Sequence, residues 1–309
     1  MSRHKTLHLH SPAKLNLYLR VLNKRKDGYH NIVTLFERID LFDVLTFRCN
    51  AGGGIKIYCD HPDVPKGAKN LVYKAAQMLK KEHRVSAGVD IRIKKQIPVA
   101  AGLGGGSSNA ATALLALNRL WRLSLTQKEL LGYAKRIGAD VAFFIHDCRW
   151  ALGEERGDEI RRIPLKTRLW HILVVPRIKM YTKAVYEAFQ PAKTDITYRK
   201  SEGYSTGPVP RNLLTNQKQN VNILIRHLRQ NDLRGVGQFI LNDLESSSFR
   251  LCSNLKELKE TVLNHAPLGG LLSGSGPSIF GLVKTKKEAE KIRSVLRKKY
   301  SQSFVVGSL

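Results

Sequence analysis

The stretch PVAAGLGGGSSNAATALLAL, residues 98–117, places four glycines and two serines directly in front of the clearest helical pattern in the chain. The helical part is read from the spacing of its apolar residues, which recur at i, i+3, i+4, i+7 and i+11 and so share one face. These residues are Ala110, Ala113, Leu114, Leu117 and Trp121. The spacing predicts a helix with a buried stripe.

A strand is predicted just before the glycines, because apolar and polar residues alternate from Val89 to Lys94 and Pro98 then ends the pattern. The glycines therefore join a strand to the start of a helix. Glycines can adopt φ > 0 and bring backbone N–H groups close to a ligand, and the first helical turn adds unpaired donors and a positive dipole end. The stretch predicts an anion-binding loop, with the alternative that a polar residue at 107–109 merely caps the helix.

The order of residues in this loop excludes two common phosphate-binding motifs. A Walker A loop requires a lysine after its last glycine, and none follows here. The dinucleotide-binding motif fails because Ser107 stands where its third glycine would be. Protein-kinase signatures are absent as well. The loop therefore predicts phosphate binding without naming the enzyme.

Length and composition favour a two-domain cytoplasmic protein. The chain has 309 residues, 42% of them hydrophobic, which suffices for two ordinary domains. No apolar run reaches the roughly 18 residues of a membrane span, and the first ten residues lack a signal-peptide core. The cysteines lack the spacing of a zinc site or a disulfide framework. No metal site is predicted from His4, His8 and His10 either, since no cysteine or carboxylate lies near them.

The charge is strongly positive, with 52 Lys+Arg against 25 Asp+Glu and a formal net charge of +27. Such a balance first suggests a nucleic-acid partner. The basic residues are mostly dispersed, however, and the densest cluster, residues 284–300, mixes glutamates into an amphipathic helical pattern. Its predicted inward residues are Ala289, Ile292, Val295 and Leu296. Nucleic-acid binding is not expected as the main function.

The segment SPAKLNLYLRVLNKRKDGYHNIVT, residues 11–34, combines a strand pattern with polar residues. Lys14 and Asn16 project from one face of the predicted strand, where they could meet a phosphorylated ligand or lie on a solvent-facing edge. An Asp-Gly pair then predicts a turn. Tyr29 and His30 follow it, and they could bind a planar base or close a packed hairpin.

Two later segments add a carboxylate and a second glycine turn. In RIGADVAFFIHD, residues 136–147, Asp140 borders an apolar run, where a carboxylate needs either a partner or a function, although N-capping would also account for it. GGLLSGSGPSIFGLV, residues 269–283, is a glycine-serine turn between two apolar runs. By itself the latter predicts a tight hairpin.

Together these segments resemble the GHMP kinase superfamily. SPAKLNLYL resembles its first motif, PVAAGLGGGSSNAA its phosphate loop, and LSGSGPSIFG its third motif. NLVYKAA at 70–76, GADVAFF and LNDLE at 241–245 extend the resemblance, which runs in order from Pro12 to about Gly281. Within the superfamily the chain is most similar to the branch whose substrate carries a cytidine diphosphate group. It departs from that branch at Ala142, which stands where the family usually has proline.

The resemblance implies an α+β fold with two lobes and the active site between them. Residues 1–167 would form an ATP-binding domain like domain 2 of ribosomal protein S5, and residues 168–309 a ferredoxin-like substrate-binding domain. The polar segment 190–212, with three prolines, predicts a long loop. We expect a monomer or a weak homodimer.

The resemblance also implies the reaction, phosphoryl transfer from ATP with Mg²⁺ to the 2-hydroxyl of a methylerythritol group. Asp140 would accept or orient the hydroxyl proton, and Lys14 would lie beside both the carboxylate and the transferring phosphate. The other substrate-binding residues would be Asn16, Tyr29, His30, Thr182 and Tyr186. ATP would contact Asn70, Leu71, Lys94, Pro98, Gly102, Leu103, Gly104, Gly105, Gly106, Ser107 and Ser108. Either serine could reach the Mg²⁺, and no fixed protein metal site is predicted.

Three other functions remain open. A sister kinase for homoserine, mevalonate or galactose would share the phosphate loop but lack DGYH at 27–30. A basic nucleic-acid-binding protein on a kinase fold would explain the charge but leave three ordered motifs unexplained. A non-catalytic kinase-fold scaffold is disfavoured by the intact Lys14, Asp140 and glycines. A small-molecule kinase with no membrane or nucleic-acid partner is therefore the favoured function.

Overall fold

The computed structural model describes residues 6–190 and 213–309, with side chains from residue 220 onward in the second range. The predicted loop at 190–212 lies outside the described residues apart from Gln190, and so does His4. Within the described ranges, no helix combines the length and the apolar character that crossing a bilayer requires. The same ranges contain no group of three or more His, Cys, Asp and Glu side chains that could hold a metal ion.

A long antiparallel hairpin organises the first half of the chain. Its turn contains Gly28 at φ +86° and follows the predicted Asp-Gly signal. The strands of the first sheet are β1 Thr6–Lys24, β2 His30–Asn50, β3 Ile55–Cys59, β4 Gly88–Lys94, β5 Trp150–Glu154, β6 Glu159–Arg162 and, from the second half, β8 Leu241–Asn242. The hairpin strands β1 and β2 lie inside this seven-stranded sheet, whose order is β3-β4-β2-β1-β8, with β5 also paired with β2 and β6 with β5.

Helices of the first half pack against β2, β3 and β4 around one core. They are α1 Leu71–Glu82, α2 Gly105–Leu120, α3 Gln127–Ile137 and α4 Ala139–Ile145. The predicted helix after the glycines is α2, and its stripe is buried at Ala110, Ala113, Leu114 and Leu117. Trp121 follows the last helical residue and is only partly buried. The strand predicted before the glycines is β4.

The second half builds a four-stranded sheet of order β11-β7-β10-β9. Its strands are β7 Trp170–Val174, β9 Gly270–Leu272, β10 Ile279–Val283 and β11 Ser303–Gly307. The accompanying helices are α5 Thr182–Glu187, α6 Leu213–Gln230, α7 Leu233–Phe239, α8 Glu245–Leu251, α9 Asn254–His265 and α10 Lys286–Leu296. The hairpin predicted from the second glycine turn is confirmed, because β9 and β10 pair antiparallel. In α10 the predicted inward face is wrong at Val295, which is 50% exposed.

The two halves are joined through the first sheet. β8, Leu241–Asn242, pairs in parallel with β1, so a segment of the second half adds a strand beside the strand that carries Lys14. The mostly antiparallel sheets with packed helices confirm the α+β class. The domain boundary near residue 167 stays a prediction; the chain passes from β6 to β7 between Arg162 and Trp170.

Candidate active site

A cavity of about 1110 Å³ lies between the phosphate loop, the tip of the first hairpin, α5 and the turn between β9 and β10. Most residues predicted for the site line it. They are Lys14, Asn16, Tyr29, His30, Asn70, Leu71, Pro98, Gly102, Leu103, Gly104, Gly105, Gly106, Ser107, Asp140, Thr182 and Tyr186. Two predicted residues, Lys94 and Ser108, do not line the cavity.

The glycine loop forms the start of α2 through backbone geometry alone. Gly104 is the N-cap at φ +68°, and no side chain makes a capping hydrogen bond there. The alternative that a side chain at 107–109 caps the helix is therefore wrong. A Cβ on Gly104 would lie 2.9 Å from Cγ of Lys14, so a side chain has no room there. As the first three helical residues, 105–107 have N–H groups without an acceptor inside the helix, which suits an anion.

The two serines of the loop have different surroundings. Ser107 lines the cavity. Ser108 is fully buried, its hydroxyl accepts a hydrogen bond from Ser11 Oγ at 2.7 Å, and its N–H donates to Gly104 O at 2.8 Å. Of the two predicted magnesium ligands, the Ser108 hydroxyl is therefore buried in a hydrogen bond within the protein, while Ser107 borders the cavity.

Lys14, Asn16 and Asp140 meet at the centre of the cavity. Lys14 Nζ lies 3.4 Å from Asp140 Oδ2 and donates to Asn16 Oδ1 at 2.5 Å. The Lys14 side chain is 5% exposed and that of Asp140 is 34% exposed, so solvent and ligands reach the pair from the carboxylate side. The solvent-facing edge is thus the wrong interpretation of Lys14 and Asn16. N-capping is wrong for Asp140, because Gly138 is the N-cap of α4.

Hydrogen bonds fix this centre to its neighbours. The Lys14 backbone N–H donates to Leu103 O at 3.0 Å, which ties β1 to the glycine loop. Asn16 Nδ2 donates to Thr34 Oγ1 at 2.7 Å, and that hydroxyl donates to Tyr18 O at 2.7 Å. The Asn16 amide is therefore held with its oxygen toward Lys14 Nζ.

The end of the cavity beyond the glycine loop contains Asn70 and Leu71. The Asn70 side chain makes two hydrogen bonds within the protein. Its Oδ1 caps α1 by accepting from Val72 N at 2.8 Å, and its Nδ2 donates to Pro65 O at 2.6 Å. Both side-chain groups of Asn70 are therefore engaged within the protein, and Leu71 adds an apolar surface beside them.

The lysine that lines the cavity at the end of β4 is Lys95 rather than the predicted Lys94. Lys94 is exposed on β4, on the face opposite the buried Ile93, whereas Lys95 follows the strand end and lines the cavity. Lys95 Nζ pairs with the fully buried Asp43 Oδ2 at 2.7 Å. Burial lowers the pKa of Lys95 below its ordinary value, although the charge of Asp43 acts in the opposite direction. The end of the alternating pattern was the signal that could have identified Lys95.

The second glycine turn, residues 273–278, packs directly on the first. Ser273 Oγ donates to Gly102 O at 3.1 Å, and Ser278 Oγ donates to Ala101 O at 2.5 Å. A Cβ on Gly102 would lie 2.1 Å from Ser273 O, so only glycine permits this approach. Gly274 and Ser275 also line the cavity; the glycine-serine pattern of their turn predicts a hairpin and gives no signal that these two residues belong to the site.

Aromatic side chains form the other end of the cavity. The His30 ring stacks on the Tyr186 ring with centroids 5.5 Å apart, and the Phe189 ring meets His30 edge-on. Burial lowers the pKa of the His30 imidazole below its ordinary value, and Lys24 lowers it further. Burial raises the pKa of the Tyr186 hydroxyl, and the charge of Asp140 raises it further.

Tyr29 and α5 frame this aromatic end. Tyr29 is 58% exposed, with the Arg156 guanidinium 5.4 Å from its ring centre. Tyr186 and Phe189 are half-buried against the core and also line the cavity. Thr182 Oγ1 lies 2.9 Å from Ser275 Oγ, which links α5 to the second glycine turn.

Comparison with known families agrees with this arrangement. The family model described as "GHMP kinases N terminal domain" matches residues 70–147, and "GHMP kinases C terminal" matches residues 224–302. The 4-diphosphocytidyl-2-C-methyl-D-erythritol kinase of Clostridioides difficile is 36% identical over 305 residues, covering 98% of this chain and 95% of the relative.

Solved structures show the same similarity. A crystal structure of 4-(cytidine 5'-diphospho)-2C-methyl-D-erythritol kinase matches 98% of this chain and 100% of its own, with TM-score 0.76 and 29% identity. A homoserine kinase from Cytophaga hutchinsonii matches 100% and 96% of the two chains with TM-score 0.73. At 21% identity the latter shows a shared fold alone.

Proposed function

The chain belongs to the GHMP kinases and, within them, to the 4-diphosphocytidyl-2-C-methyl-D-erythritol kinases, and on this premise we propose how its cavity works. The enzyme uses ATP to phosphorylate the 2-hydroxyl of 4-diphosphocytidyl-2-C-methyl-D-erythritol, a step of the non-mevalonate route to isoprenoid precursors. The observation that carries the proposal is the Lys14–Asp140 pair, 3.4 Å apart beside the open start of α2.

The phosphates of ATP bind at the first turn of α2. Residues 105–107 offer backbone donors and the positive end of the helix dipole, and Gly106 is exposed to the cavity. The adenine lies toward Asn70, Leu71 and Lys95, at the end of the cavity away from the aromatic rings. This orientation brings the transferring phosphate close to Lys14.

The magnesium ion that such a transfer uses fits the residues present. Ser107 offers a hydroxyl oxygen in the cavity, which is a hard ligand of the type that Mg²⁺ accepts. A bound Mg²⁺ would neutralise part of the triphosphate charge. Phosphates and water would supply its other ligands.

Asp140 and Lys14 act on the substrate hydroxyl. Asp140 accepts or orients the proton of the 2-hydroxyl, and its partly exposed carboxylate is accessible for that contact. Lys14 pairs with this carboxylate and offsets the negative charge that develops on the transferring phosphate. Asn16 fixes the Lys14 ammonium through its side-chain oxygen and contacts the substrate tail.

The cytidine end of the substrate binds among the aromatic residues. A cytosine ring needs a flat apolar surface and polar groups at its pairing edge, and Tyr29, His30, Tyr186 and Phe189 provide these within one cavity. Thr182 borders the same region. This aromatic cluster favours a cytidine-containing substrate over the smaller substrates of sister kinases. Monomer or weak homodimer, and a cytoplasmic location, stay predictions of the sequence.

A coupled assay of ADP release tests the substrate. Purified protein is supplied with ATP, Mg²⁺ and, in turn, the diphosphocytidyl substrate, homoserine, mevalonate and galactose. We expect kcat/KM for the diphosphocytidyl substrate to exceed that for each of the others by at least about 10³, because the smaller compounds leave the aromatic end unfilled. A higher kcat/KM for any of the three would refute the assignment.

A further inference from the structure

The motif LNDLE at 241–245 contains a buried asparagine whose side chain is fully engaged. Asn242 is 5% exposed. Its Nδ2 donates to Leu272 O and to Gly274 O, both at 2.7 Å, and its Oδ1 accepts from Leu244 N at 3.0 Å. Because an amide nitrogen has two donors and both reach carbonyls here, the orientation of the side chain is fixed.

The backbone around Asn242 is anchored to β1. Asn242 pairs with Leu19 in the parallel β1–β8 ladder, and Asp243 N donates to Leu19 O at 2.9 Å. Asp243 Oδ2 accepts from Val21 N at 2.9 Å. Asn242 therefore connects the strand that carries Lys14 and Asn16 to the turn after β9.

That turn lies against the reaction centre. A Cβ on Gly274 would lie 3.3 Å from Asn16 Oδ1 and 3.5 Å from Lys14 Nζ. Gly274 is also the residue whose carbonyl Asn242 holds. A shift of this turn by even a fraction of an ångström would change the space around the Lys14 ammonium.

We propose that Asn242 is a positioning residue for phosphoryl transfer, which holds the 273–278 turn at the distance from Lys14 that the reaction requires. The inference rests on the proposed function. Asn242 does not line the cavity and acts through the Gly274 carbonyl. Because reactivity depends steeply on the alignment of the reacting groups, losing this support lowers kcat more than it weakens binding.

Glu245 of the same motif provides a matched control. Its Oε1 accepts from Leu272 N at 2.9 Å and its Oε2 pairs with Lys259 Nζ at 2.6 Å. Glu245 thus also supports β9, but through the backbone N–H of Leu272, and it does not itself line the cavity. Glu245→Gln should change stability with little effect on kcat.

The experiment compares Asn242→Asp, Asn242→Ala and Glu245→Gln with the unmodified protein. Asn242→Asp keeps the oxygen that accepts from Leu244 N but replaces the NH₂ group with a carboxylate oxygen, which repels the carbonyl oxygens of Leu272 and Gly274. Asn242→Ala removes the whole amide group and with it both hydrogen bonds to these carbonyls. We expect kcat to fall at least tenfold in both Asn242 variants, with KM for ATP and for the substrate changed less than threefold. Glu245→Gln should retain more than half of kcat. Amide hydrogen exchange of residues 273–278 should accelerate at least tenfold in the Asn242 variants alone.

Kinetics and hydrogen exchange together distinguish a failure of the proposed function from a failure of the positioning role of Asn242. An unmodified protein that does not phosphorylate the diphosphocytidyl substrate contradicts the proposed function, and hydrogen exchange then still tests the role of Asn242 in holding the turn. Unchanged exchange at 273–278, or unchanged kcat in folded Asn242 variants, overturns the positioning role. Loss of the fold in both Asn242 variants also overturns it, since the asparagine would then support the fold as a whole.

Discussion

Two glycine- and serine-rich turns meet at the reaction centre, and they differ in the element that follows each of them. Residues 102–108 lead into α2, whose first N–H groups have no acceptor inside the helix. Residues 273–278 lead into the antiparallel strand β10, and two of their N–H groups are used within the turn: Ser273 N donates to Ser278 O and Gly276 N to Ser273 O, both at 2.9 Å.

From this difference we expect the first turn to bind the anion and the second to position the first. A helix start keeps backbone donors available to a ligand, whereas the second turn closes on itself through the N–H groups of Ser273 and Gly276. The second turn therefore contacts the first through Ser273 and Ser278 and reaches α5 through Ser275. Similar composition thus gives different roles, and each role can be tested separately.

The largest effect is expected at Asp140, the carboxylate that pairs with Lys14 in the cavity that both turns line. Asp140→Asn keeps the size of the side chain but removes the base, so turnover should fall by about 10² to 10⁴, or roughly 3 to 5 kcal/mol. The Kd for ATP should barely change. Asp147→Asn, two residues beyond the end of α4 and with a side chain that is 85% exposed, is the control that should keep normal turnover. Near-normal turnover in Asp140→Asn would remove this residue from the chemistry.

The second effect concerns the aromatic end that the second turn supports. Stacking on a base contributes roughly 1 to 3 kcal/mol by alanine substitution, so Tyr186→Ala should raise the substrate KM about 5- to 150-fold. Tyr29→Ala should act in the same direction, and KM for ATP should stay unchanged in both variants. Tyr181→Ala is the control, because Tyr181 is 72% exposed and does not line the cavity.

Steady-state kinetics with each substrate varied in turn measure these constants. An equal rise of both KM values in Tyr186→Ala would indicate a damaged fold. No rise in the substrate KM would show that the cytidine group binds elsewhere.

A smaller effect is expected from adding a methyl group at Gly106, in the helix start that follows the first turn. A Cβ on Gly106 would have Leu71 Cδ1 as its nearest neighbour at 3.9 Å, so the protein itself accommodates alanine, which is also the better helix former. The added methyl would, however, enter the space assigned to the phosphates. Gly106→Ala should therefore raise KM for ATP by at least about 5-fold, or about 1 kcal/mol, without loss of thermal stability.

Gly132→Ala is the matched control for this variant. Gly132 lies in α3, has nothing within 4 Å of its Cβ position and does not line the cavity. It should leave KM for ATP unchanged and stabilise the protein slightly. Equal KM values in the two variants would show that the phosphates do not approach Gly106.

The smallest expected effect is that of a polynucleotide on activity. The basic surface is dispersed, so added RNA at physiological salt should not change kcat or either KM, whereas a true nucleic-acid site would bind with steep salt dependence. Activity assays with and without RNA, together with binding measured at two salt concentrations, check this. Inhibition by RNA that persists at physiological salt would give the +27 charge a function.

Patterns over adjacent residues predicted the secondary structure around the phosphate loop and the face shared by Lys14 and Asn16. Most of the contacts that were not predicted join residues far apart in the sequence. The strand, loop and helix around Gly104 follow from alternation and helical spacing over adjacent residues, as does the shared face of Lys14 and Asn16. Lys94 lies on the exposed face of β4, and Lys95, one residue later where the alternation ends, lines the cavity instead.

The contacts of Asn242 were beyond sequence reasoning for a different reason. Its partners Leu272 and Gly274 lie about thirty residues away along the chain, and no periodic pattern encodes that meeting. The stack of His30 on Tyr186 likewise joins two distant segments. Such pairings depend on the packing of the two sheets, which only the folded chain reveals.

The most direct test of the central claim is to identify the atom that receives the phosphate. Purified protein, ATP, Mg²⁺ and 4-diphosphocytidyl-2-C-methyl-D-erythritol are incubated, and ³¹P NMR of the product locates the new phosphoryl group. We predict a single new phosphomonoester on the 2-hydroxyl in the unmodified protein and at least about 10²-fold slower formation in Asp140→Asn. A phosphate on another hydroxyl, or release of inorganic phosphate alone, would contradict the assignment of the Lys14–Asp140 centre.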